Sequence, residues 1–365
     1  MINVHCNLCG YVPGRAGGAE VFLEGLIPQI NAFDEISMTV HGSNATRNWL
    51  NGFMSEARDF NEIGSDSHNV VNRFMANRKL RSVVGKGDIV WSPLNQGVGE
   101  NGKFQEVLTI HDLIPLHYSK RNPAYQPNLS RRGMFALRWS NSMRTARRAS
   151  AVVTVSNSNV DELKGAIGPK SPQVFGAPNG IDPAKQIAAE KFLWQFSGKP
   201  NVVAVTSGSK PHKGIRTLEE VADALPGVTF HLIGKSDRQF SQKNIVPTGR
   251  IDIEELNSFY QTSSALFFPS RIEGFGLPVL EALVFGTPVV ATDIPVLREV
   301  GGEASRYFKM DDIAAATQQL QTVIADRGVA ETMSTQGVKH CRQFTWANAA
   351  AVYREVFNTV KNQTR

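Results

Sequence analysis

The sequence predicts an α/β protein of two doubly wound, Rossmann-like domains that face each other across a cleft. Three observations support this fold class. Short apolar, β-branched runs alternate with stretches of helical spacing, which is typical of parallel sheets covered by helices. The chain has 365 residues, which favours two domains at roughly 150 residues each. A fresh strand pattern opens at Asn201, after a polar stretch that contains PNGIDP.

The alternation assigns the elements in order. Runs of three to seven apolar or β-branched residues are predicted strands: Ile2–His5, Ser37–His41, Ile89–Trp91, Glu106–Ile110, Ala151–Val155, Gln173–Ala177, Val202–Thr206, Thr229–Ile233, Ala265–Phe268 and Thr287–Ala291. Stretches between them have apolar residues at helical spacing, and we predict helices at Ala19–Asn31, Leu129–Ala149, Leu218–Leu225, Ile253–Gln261 and Leu277–Phe285. The last stretch, Trp346–Val360, is also amphipathic and is a predicted helix.

We place the first domain at residues 1–180 and the second at residues 181–344, with residues 345–365 as a terminal helix. Ligands of doubly wound sheets bind outside the carboxyl ends of the strands. With two such domains, we therefore expect the site in the cleft between them.

Composition narrows the class of partner. Apolar residues make up 41% of the chain and charged residues 20%, as in ordinary globular proteins. The net charge of +6 suits an anionic partner, which leaves phosphates, nucleic acid and anionic membranes open. No secretory signal and no membrane span are recognisable, so we expect a cytoplasmic protein. Cys6 and Cys9 are interpreted as small core residues rather than as a metal or redox site.

A basic segment covers residues 120–148. From Leu113 to Val160 there are eight Lys or Arg residues and no Asp or Glu. One interpretation is a solvated helix face. The alternative is a surface for an anionic membrane, which would place the protein at the inner face of the plasma membrane, or for a lipid-diphosphate acceptor. Nucleic-acid binding is disfavoured, because no recognised module is present.

Two loops have features that suit phosphate. Gly17 and Gly18 follow the first strand and precede a helix, where free N–H groups attract an anion. After the first strand of the second half, TSGSKPHKGI contains Lys210 and Lys213, whose charges suit a diphosphate. An ordinary βα turn and two solvated lysines are the alternatives.

A pair of carboxylates is the sharpest signal. Glu273 lies in the predicted loop SRIEGFGLP, and Glu281 follows in an otherwise apolar helix. A carboxylate in an apolar run needs a partner, because its desolvation is costly. That partner is either a salt-bridging neighbour or the vicinal hydroxyls of a ribose, which donate to a carboxylate.

With these residues the chain resembles the fourth family of retaining glycosyltransferases, which have the GT-B fold and an E-x7-E motif. The resemblance covers nearly the whole chain. Its elements keep the family's order: the Gly-Gly loop at 17–18, His-Asp at 111–112, VTVSNSNVDEL, APNGID, PHKG, TGRIDIEEL, the E-x7-E motif with GTPVVAT, and FTWANAA.

The resemblance implies roles for individual residues. Glu281 holds the ribose, Glu273 the transferred sugar, and Lys213 the diphosphate. The first domain is the acceptor side and carries the terminal helix; the second binds the nucleotide-sugar. The further donor contacts implied are Gly17, Gly18, Ser207, Gly208, Lys210, Arg250, Ile251, Gly274, Phe275, Gly276 and Leu277. One departure stands out: Gly208 occupies the position where the family usually has an arginine, and whether Lys210 replaces it stays open.

The reaction implied is retaining sugar transfer. No D-x-D-type metal motif appears in a suitable place, so we expect neither a metal nor another cofactor. His111 and Asp112 follow an apolar strand of the first domain; a catalytic or donor-binding role is favoured over a structural one. The segment HDLIPLHY resembles bacterial mannosyl- and rhamnosyltransferases of surface polysaccharides. We therefore favour GDP-mannose as donor and a glycan or polyprenyl-diphosphate-linked oligosaccharide as acceptor. A nucleotide-sugar epimerase and a non-catalytic binding module are the alternatives.

Overall fold

The computed structural model describes residues 1–14, 17–54, 59–64, 70–99, 102–119, 129–181, 194, 200–206, 210–236 and 238–363. The chain divides into two units. The first comprises residues 1–119, 133–180 and 344–365, and the second comprises residues 181–343 with the stretch 120–132. Each unit is built around its own parallel sheet, and the two are described separately below.

The first unit has a seven-stranded sheet in the order β3-β2-β1-β4-β5-β6-β7. Its strands are β1 (Ile2–Asn7), β2 (Ile36–Gly42), β3 (Phe60–Glu62), β4 (Ile89–Ser92), β5 (Gln105–Ile110), β6 (Ala151–Thr154) and β7 (Gln173–Gly176). Neighbouring strands run parallel, with Val4 beside Met38 of β2 and Ile89 of β4. β4 and β6 are buried along their whole length, as expected for strands covered on both faces.

Helices cover this sheet: α1 (Gly18–Asn31), α2 (Asn44–Leu50), α3 (Val70–Val83), α4 (Ile114–Ser119), α5 (Leu129–Ala146) and α6 (Val160–Ile167). α1 buries an apolar stripe that includes Phe22, Leu26 and Ile30. These residues recur at helical spacing, which is the reason that this stretch forms a helix packed on the sheet.

The terminal helix of the chain (Trp346–Asn362) packs on the first unit. Gln105 donates through Nε2 to the carbonyl of Val360 at 2.8 Å, and Thr109 Oγ1 lies 2.8 Å from the Tyr353 hydroxyl. Gly25 of α1 allows the close approach, because a Cβ at this position would lie 2.1 Å from the Trp346 ring.

The second unit has a six-stranded parallel sheet in the order β10-β9-β8-β11-β12-β13. Its strands are β8 (Asn201–Val205), β9 (Thr229–Ile233), β10 (Ile245–Gly249), β11 (Ala265–Phe268), β12 (Val289–Thr292) and β13 (Ser305–Phe308). The helices are α7 (Ile215–Ala224), α8 (Ile253–Thr262), α9 (Leu277–Val284), α10 (Pro295–Gly301), α11 (Ile313–Ala325) and α12 (Arg327–Cys341), and the terminal helix becomes α13. Phe230, Phe267 and Leu320 lie in the buried core of this unit.

The predicted fold class, two doubly wound parallel sheets, is confirmed. In each sheet the chain winds outward from one central strand and then restarts beside it. The restart places β4 next to β1 in the first unit and β11 next to β8 in the second. Ligands of such sheets bind at this switch point, outside the carboxyl ends of the strands. The loops after β8 and β11 are therefore the place to look for a site in the second unit.

Three strands, β3, β10 and β13, were not predicted from the sequence, and all three lie at sheet edges. Among the helices in the described ranges, none combines the length and the apolar character that a membrane crossing requires.

Candidate functional site

The loops after β8 and β11 bring together two of the predicted residues. Lys213 donates through Nζ to Glu273 Oε1 at 2.5 Å, and Ser270 Oγ donates to the same oxygen at 2.5 Å. The Lys213 side chain is 19% exposed and the Glu273 side chain 10%. A charge-assisted contact of this length in a largely water-excluded position is stronger than an exposed ion pair. The pair therefore presents one cation and one carboxylate at the switch point of the second sheet.

The two loops are held against each other through their backbones. The N–H of Arg271 donates to the carbonyl of His212 at 2.7 Å. Gly214 has φ +67°, and a Cβ added there would lie 1.9 Å from the carbonyl oxygen of Pro269. Glycine is required at this position both by the backbone angle and by the contact. This close approach sets the distance between Lys213 and Glu273.

The loop that carries Lys213 also contains a buried histidine, His212, whose pKa is shifted. Burial, reinforced by the charges of Lys213 and Lys210, lowers the pKa of His212 to about 3. The imidazole is therefore neutral at physiological pH and adds no cation to the site. Lys210 itself is exposed. Ser207 and Gly208 lie outside the described residues, so the departure at Gly208 is a matter of sequence only.

Glu281 lies on α9, which begins directly after the Glu273 loop. Gly276 precedes this helix with φ +99°, and Pro278 occupies its first turn. The Tyr260 hydroxyl donates to Glu281 Oε2 at 3.0 Å. Burial, and then the nearby Glu281 carboxylate, raises the pKa of Tyr260 well above its usual value. The phenol therefore stays protonated and acts as a donor that orients Glu281.

Tyr260 was not among the residues predicted from the sequence. If Glu281 holds a ribose, as the family resemblance implies, replacing Tyr260 with phenylalanine weakens nucleotide binding about 3- to 10-fold, because Glu281 loses one hydrogen bond that orients it. Isothermal titration with nucleoside diphosphates measures the effect, and kcat at saturating donor should change little. Tyr307→Phe is the matched control, because its hydroxyl bonds to the Leu297 and Gly302 carbonyls. Equal affinity in both variants would contradict the positioning role.

The other predicted donor residues of the second unit surround these loops or lie further along the sheet. Gly274 and Phe275 continue the Glu273 loop, with the Phe275 side chain buried, and Leu277 begins α9. Arg250 and Ile251 follow β10, an edge strand two positions away from β8; the Arg250 side chain is exposed. The structure thus groups Lys213 with Glu273, whereas Arg250 and Ile251 lie after the edge strand β10.

Predicted residues of the first unit occupy the carboxyl ends of its strands. Gly17, with φ +52°, precedes α1, which begins at Gly18. His111 follows β5 directly. Its Nε2 lies 2.6 Å from the carbonyl of Pro93, and its backbone N–H donates to Asn95 Oδ1 at 2.5 Å. Because a carbonyl only accepts, Nε2 carries the proton and Nδ1 presents a lone pair.

Burial lowers the pKa of His111 to about 4, against a smaller opposing effect of the Pro93 carbonyl. The ring packs edge-on against Phe22, with centroids 4.6 Å apart. His111 is therefore a neutral hydrogen-bonding group. Asp112 accepts through Oδ1 from the Ile114 N–H at 3.0 Å, so it caps the start of α4.

This histidine makes stability depend on pH. The unfolded chain binds a proton near the ordinary histidine pKa of 6.5, whereas folded His111 does so only near 4. The free energy of unfolding is therefore unaffected by His111 above pH 6.5 and falls as the pH drops toward 4, by an amount on the order of 3 kcal/mol in total and about 2 kcal/mol by pH 5. Urea midpoints at pH 7 and pH 5 measure the loss. His111→Gln should show a smaller difference between the two midpoints, and an unchanged difference would contradict the assignment.

The basic segment is described from Leu129 onward, within α5; residues 120–128 lie outside the described residues. Met143 is buried in the core of the first unit, and Trp139 packs partly against that core. Leu137, in contrast, is 72% exposed. At least two of the interleaved apolar side chains are thus core residues and not a membrane-facing stripe.

Cys6 and Cys9 are buried and unpaired, as expected for core residues. Burial raises the pKa of the Cys9 thiol to about 12, so it stays protonated. Within the described residues, no group of three or more His, Cys, Asp or Glu side chains is arranged to hold a metal ion.

Comparison with known proteins finds a family that the second unit resembles. Residues 199–326 match the family model for glycosyl transferases group 1. The chain is 33% identical over 100 residues to O-antigen chain mannosyltransferase B of Escherichia coli, covering 27% of this chain and 26% of the relative. It is 27% identical over 220 residues to O-antigen chain mannosyltransferase RfbU of Salmonella typhimurium, covering 57% of each. The match thus spans about half or less of these relatives.

Solved structures share the fold along nearly the whole chain. Sucrose-phosphate synthase from Thermosynechococcus elongatus aligns with a TM-score of 0.72 at 18% identity, covering 98% of this chain and 100% of that one. Anabaena HepE in complex with UDP and glucose aligns with a TM-score of 0.68 at 16% identity, covering 98% and 99%. The predicted resemblance to GT-B glycosyltransferases is confirmed, and Lys213, Glu273 and Glu281 all fall within the matched residues 199–326.

Proposed function

We propose that this protein is a retaining hexosyltransferase that uses a nucleotide-sugar donor. Residues 199–326 match the family model for glycosyl transferases group 1, and nearly the whole chain shares its fold with sucrose-phosphate synthase. The observation that carries the proposal is the Lys213–Glu273 pair at the switch point of the second sheet. A cation at this position neutralises charge that develops on a leaving diphosphate.

The chemistry follows from these side chains. The bond between the sugar C1 and the diphosphate oxygen breaks, and a bond from the acceptor hydroxyl oxygen to C1 forms. The hydroxyl proton passes to the leaving phosphate oxygen. We assign Lys213 to the stabilisation of that phosphate and Glu273 to accepting hydrogen bonds from the sugar. Glu281, oriented by Tyr260, accepts from the ribose hydroxyls. Fixed cations and N–H dipoles supply the electrostatic stabilisation, and the mechanism that we propose uses no metal.

Mannose from GDP-mannose is the donor that we favour. The support is the name of the two relatives above, both O-antigen chain mannosyltransferases. The acceptor that we favour is a glycan or a polyprenyl-diphosphate-linked oligosaccharide, at the cytoplasmic face of a membrane. Retention at low salt on vesicles that contain anionic lipid, and release by salt, tests the membrane part; vesicles without anionic lipid are the control.

A panel of GDP-, UDP- and dTDP-sugars tests the function. Transfer, or slow hydrolysis of one donor with retained anomeric configuration, is the expected result. Interconversion of the sugars would instead indicate an epimerase, and binding without turnover a non-catalytic module. Thermal shifts with GDP, UDP and dTDP identify the nucleotide separately, because they require binding alone. Activity in excess EDTA checks that no metal takes part.

A further inference from the structure

A cavity of about 380 Å³ opens in the first unit, away from every residue assigned a role above. It is lined by Phe74, Asn77, Arg78, Arg81 and Val98. The first four belong to α3, and Val98 lies in the loop after β4. Its size falls in the range of small-ligand sites, which begin at roughly 300 Å³.

The cavity runs along α3, between this helix and the loop that joins β4 to β5. The chain winds from β1 outward to β3, and α3 then returns it to β4, which pairs directly with β1. Arg81 lies near the end of α3, and the N–H of Val98 bonds to Glu106 at the start of β5. The case for a binding site therefore rests on the lining residues themselves.

One arginine of the cavity is held rigidly. Arg81 donates through Nη2 to the carbonyl of Val98. The N–H of Val98 donates to Glu106 Oε1 at 2.6 Å, and the N–H of Gly99 donates to Glu106 Oε2 at 2.9 Å. Glu106 is fully buried on β5. This buried carboxylate fixes the loop, and the loop fixes the guanidinium of Arg81.

Two polar atoms of the cavity wall are left without a partner. Asn77 Oδ1 and Arg81 Nε are both buried, and neither makes a hydrogen bond in the structure as described. Buried polar atoms in proteins are nearly always paired, so each such atom requires an explanation. One is an acceptor and the other a donor, which together suit a ligand that carries both hydroxyls and an oxyanion.

An aromatic surface and a second arginine complete the cavity. Phe74 is 65% exposed, although it is a large apolar side chain on a helix. The apolar face of a pyranose ring packs well on such a ring. Arg78 is exposed beside it, one helical turn from Arg81. Two guanidinium groups favour the paired oxygens of a phosphate or a carboxylate, which accept two N–H bonds side by side.

We propose that this cavity binds a sugar that carries an oxyanion, with the ring on Phe74 and the phosphate or carboxylate on Arg78 and Arg81. Asn77 accepts from a sugar hydroxyl. If the protein is the transferase proposed above, the occupant is part of the acceptor; this assignment alone rests on the proposed function. The shared chemistry of the ligand is the anionic sugar, whether its charge comes from a phosphate or from a uronic acid.

The test measures binding and not transfer. Titration is performed on the full chain with Lys213→Ala, so that the donor residues do not hold the phosphate. The probes are a hexose 1-phosphate, a hexuronic acid and a neutral methyl hexoside. We expect saturable binding of at least one anionic probe and at least tenfold weaker binding of the neutral one. The stronger anionic probe identifies the source of the charge.

Variants then locate the site. Arg78→Glu reverses an exposed charge, and Asn77→Asp places a carboxylate of equal size in the wall; each should weaken binding of the anion about tenfold or more. Lys86→Glu makes the same charge change at an exposed position of the same unit and should leave binding unchanged.

Circular dichroism verifies the fold of each variant. Absence of binding by both anions, or equal affinity in all three variants, would overturn the proposal. Failure of the proposed function would appear separately, as wild-type protein that turns over no nucleotide-sugar.

Discussion

Replacing Lys213 with alanine is expected to reduce the rate of sugar transfer about 100- to 1,000-fold, the effect of removing one fixed group that stabilises charge in the transition state. The reason is the position of Nζ, 2.5 Å from Glu273 Oε1 in a largely buried pair. The substitution removes the cation that we assign to the leaving diphosphate. It also leaves Glu273 with an uncompensated charge, which is costly in a position of low exposure.

Steady-state kinetics with the best donor of the panel measures the effect. We expect the loss mainly in kcat, because charge on the leaving group grows as the bond breaks. Lys243→Ala is the matched control, since Lys243 is exposed on the same unit. A Lys213→Ala, Glu273→Gln double variant reports their coupling, which should make the two losses less than additive. A change of less than threefold in Lys213→Ala would remove this residue from the mechanism.

Replacing Gly214 with alanine is expected to abolish nucleotide binding and to destabilise the second unit by about 2 kcal/mol or more. Two effects act in the same direction. The backbone angle of +67° is unfavourable for a residue with a side chain, and the added Cβ would lie 1.9 Å from the Pro269 carbonyl oxygen. Backbone cannot move aside as a flexible side chain can. The loops that carry Lys213 and Glu273 must therefore separate.

Urea unfolding gives the stability change, and thermal shifts with nucleoside diphosphates give the loss of binding. Gly227→Ala is the matched control, because a Cβ there has no neighbour within 4 Å. Its stability and its thermal shifts should equal those of the wild-type protein. Retained nucleotide binding in Gly214→Ala would show that the close approach of the two loops is not what arranges the site.

Residues that act through others were the hardest part of the site to predict. Tyr260 orients Glu281, and buried Glu106 holds the loop after β4. Neither residue belongs to a motif, and each meets its partner through the packing of separate elements. A buried carboxylate in a strand was the one signal for Glu106, since such a charge requires several donors.

Asp112 illustrates the opposite case. Its position beside His111 favoured a role in the site, but its carboxylate also accepts from the Ile114 N–H and caps a helix. Asp, followed two residues later by a helix start, is a local capping pattern. The sequence is compatible both with a role in the site and with helix capping, and the structure shows the capping contact.

The sequence by itself determined the fold class, because the central strands are buried on both faces and must be continuously apolar. It also singled out Glu273, Glu281 and Lys213 as candidates, because a carboxylate in an apolar helix requires a partner and charges in glycine-containing loops suit an anionic or sugar ligand. Tertiary structure alone decided the three unpredicted strands. Edge strands such as β13 are exposed along one side, so their residues need not be apolar and leave no clear pattern.

Tertiary structure also decided which charges meet. Lys213 and Glu273 are 60 residues apart in the chain, and only the pairing of β8 with β11 brings their loops together. The same applies to the cavity at Asn77 and Arg81, whose wall is completed by Val98 from another element. Sequence patterns indicate burial and turns, because both depend on residues that are close together in the chain. Contacts between distant loops depend on strand order, which is set by the packing of the whole sheet.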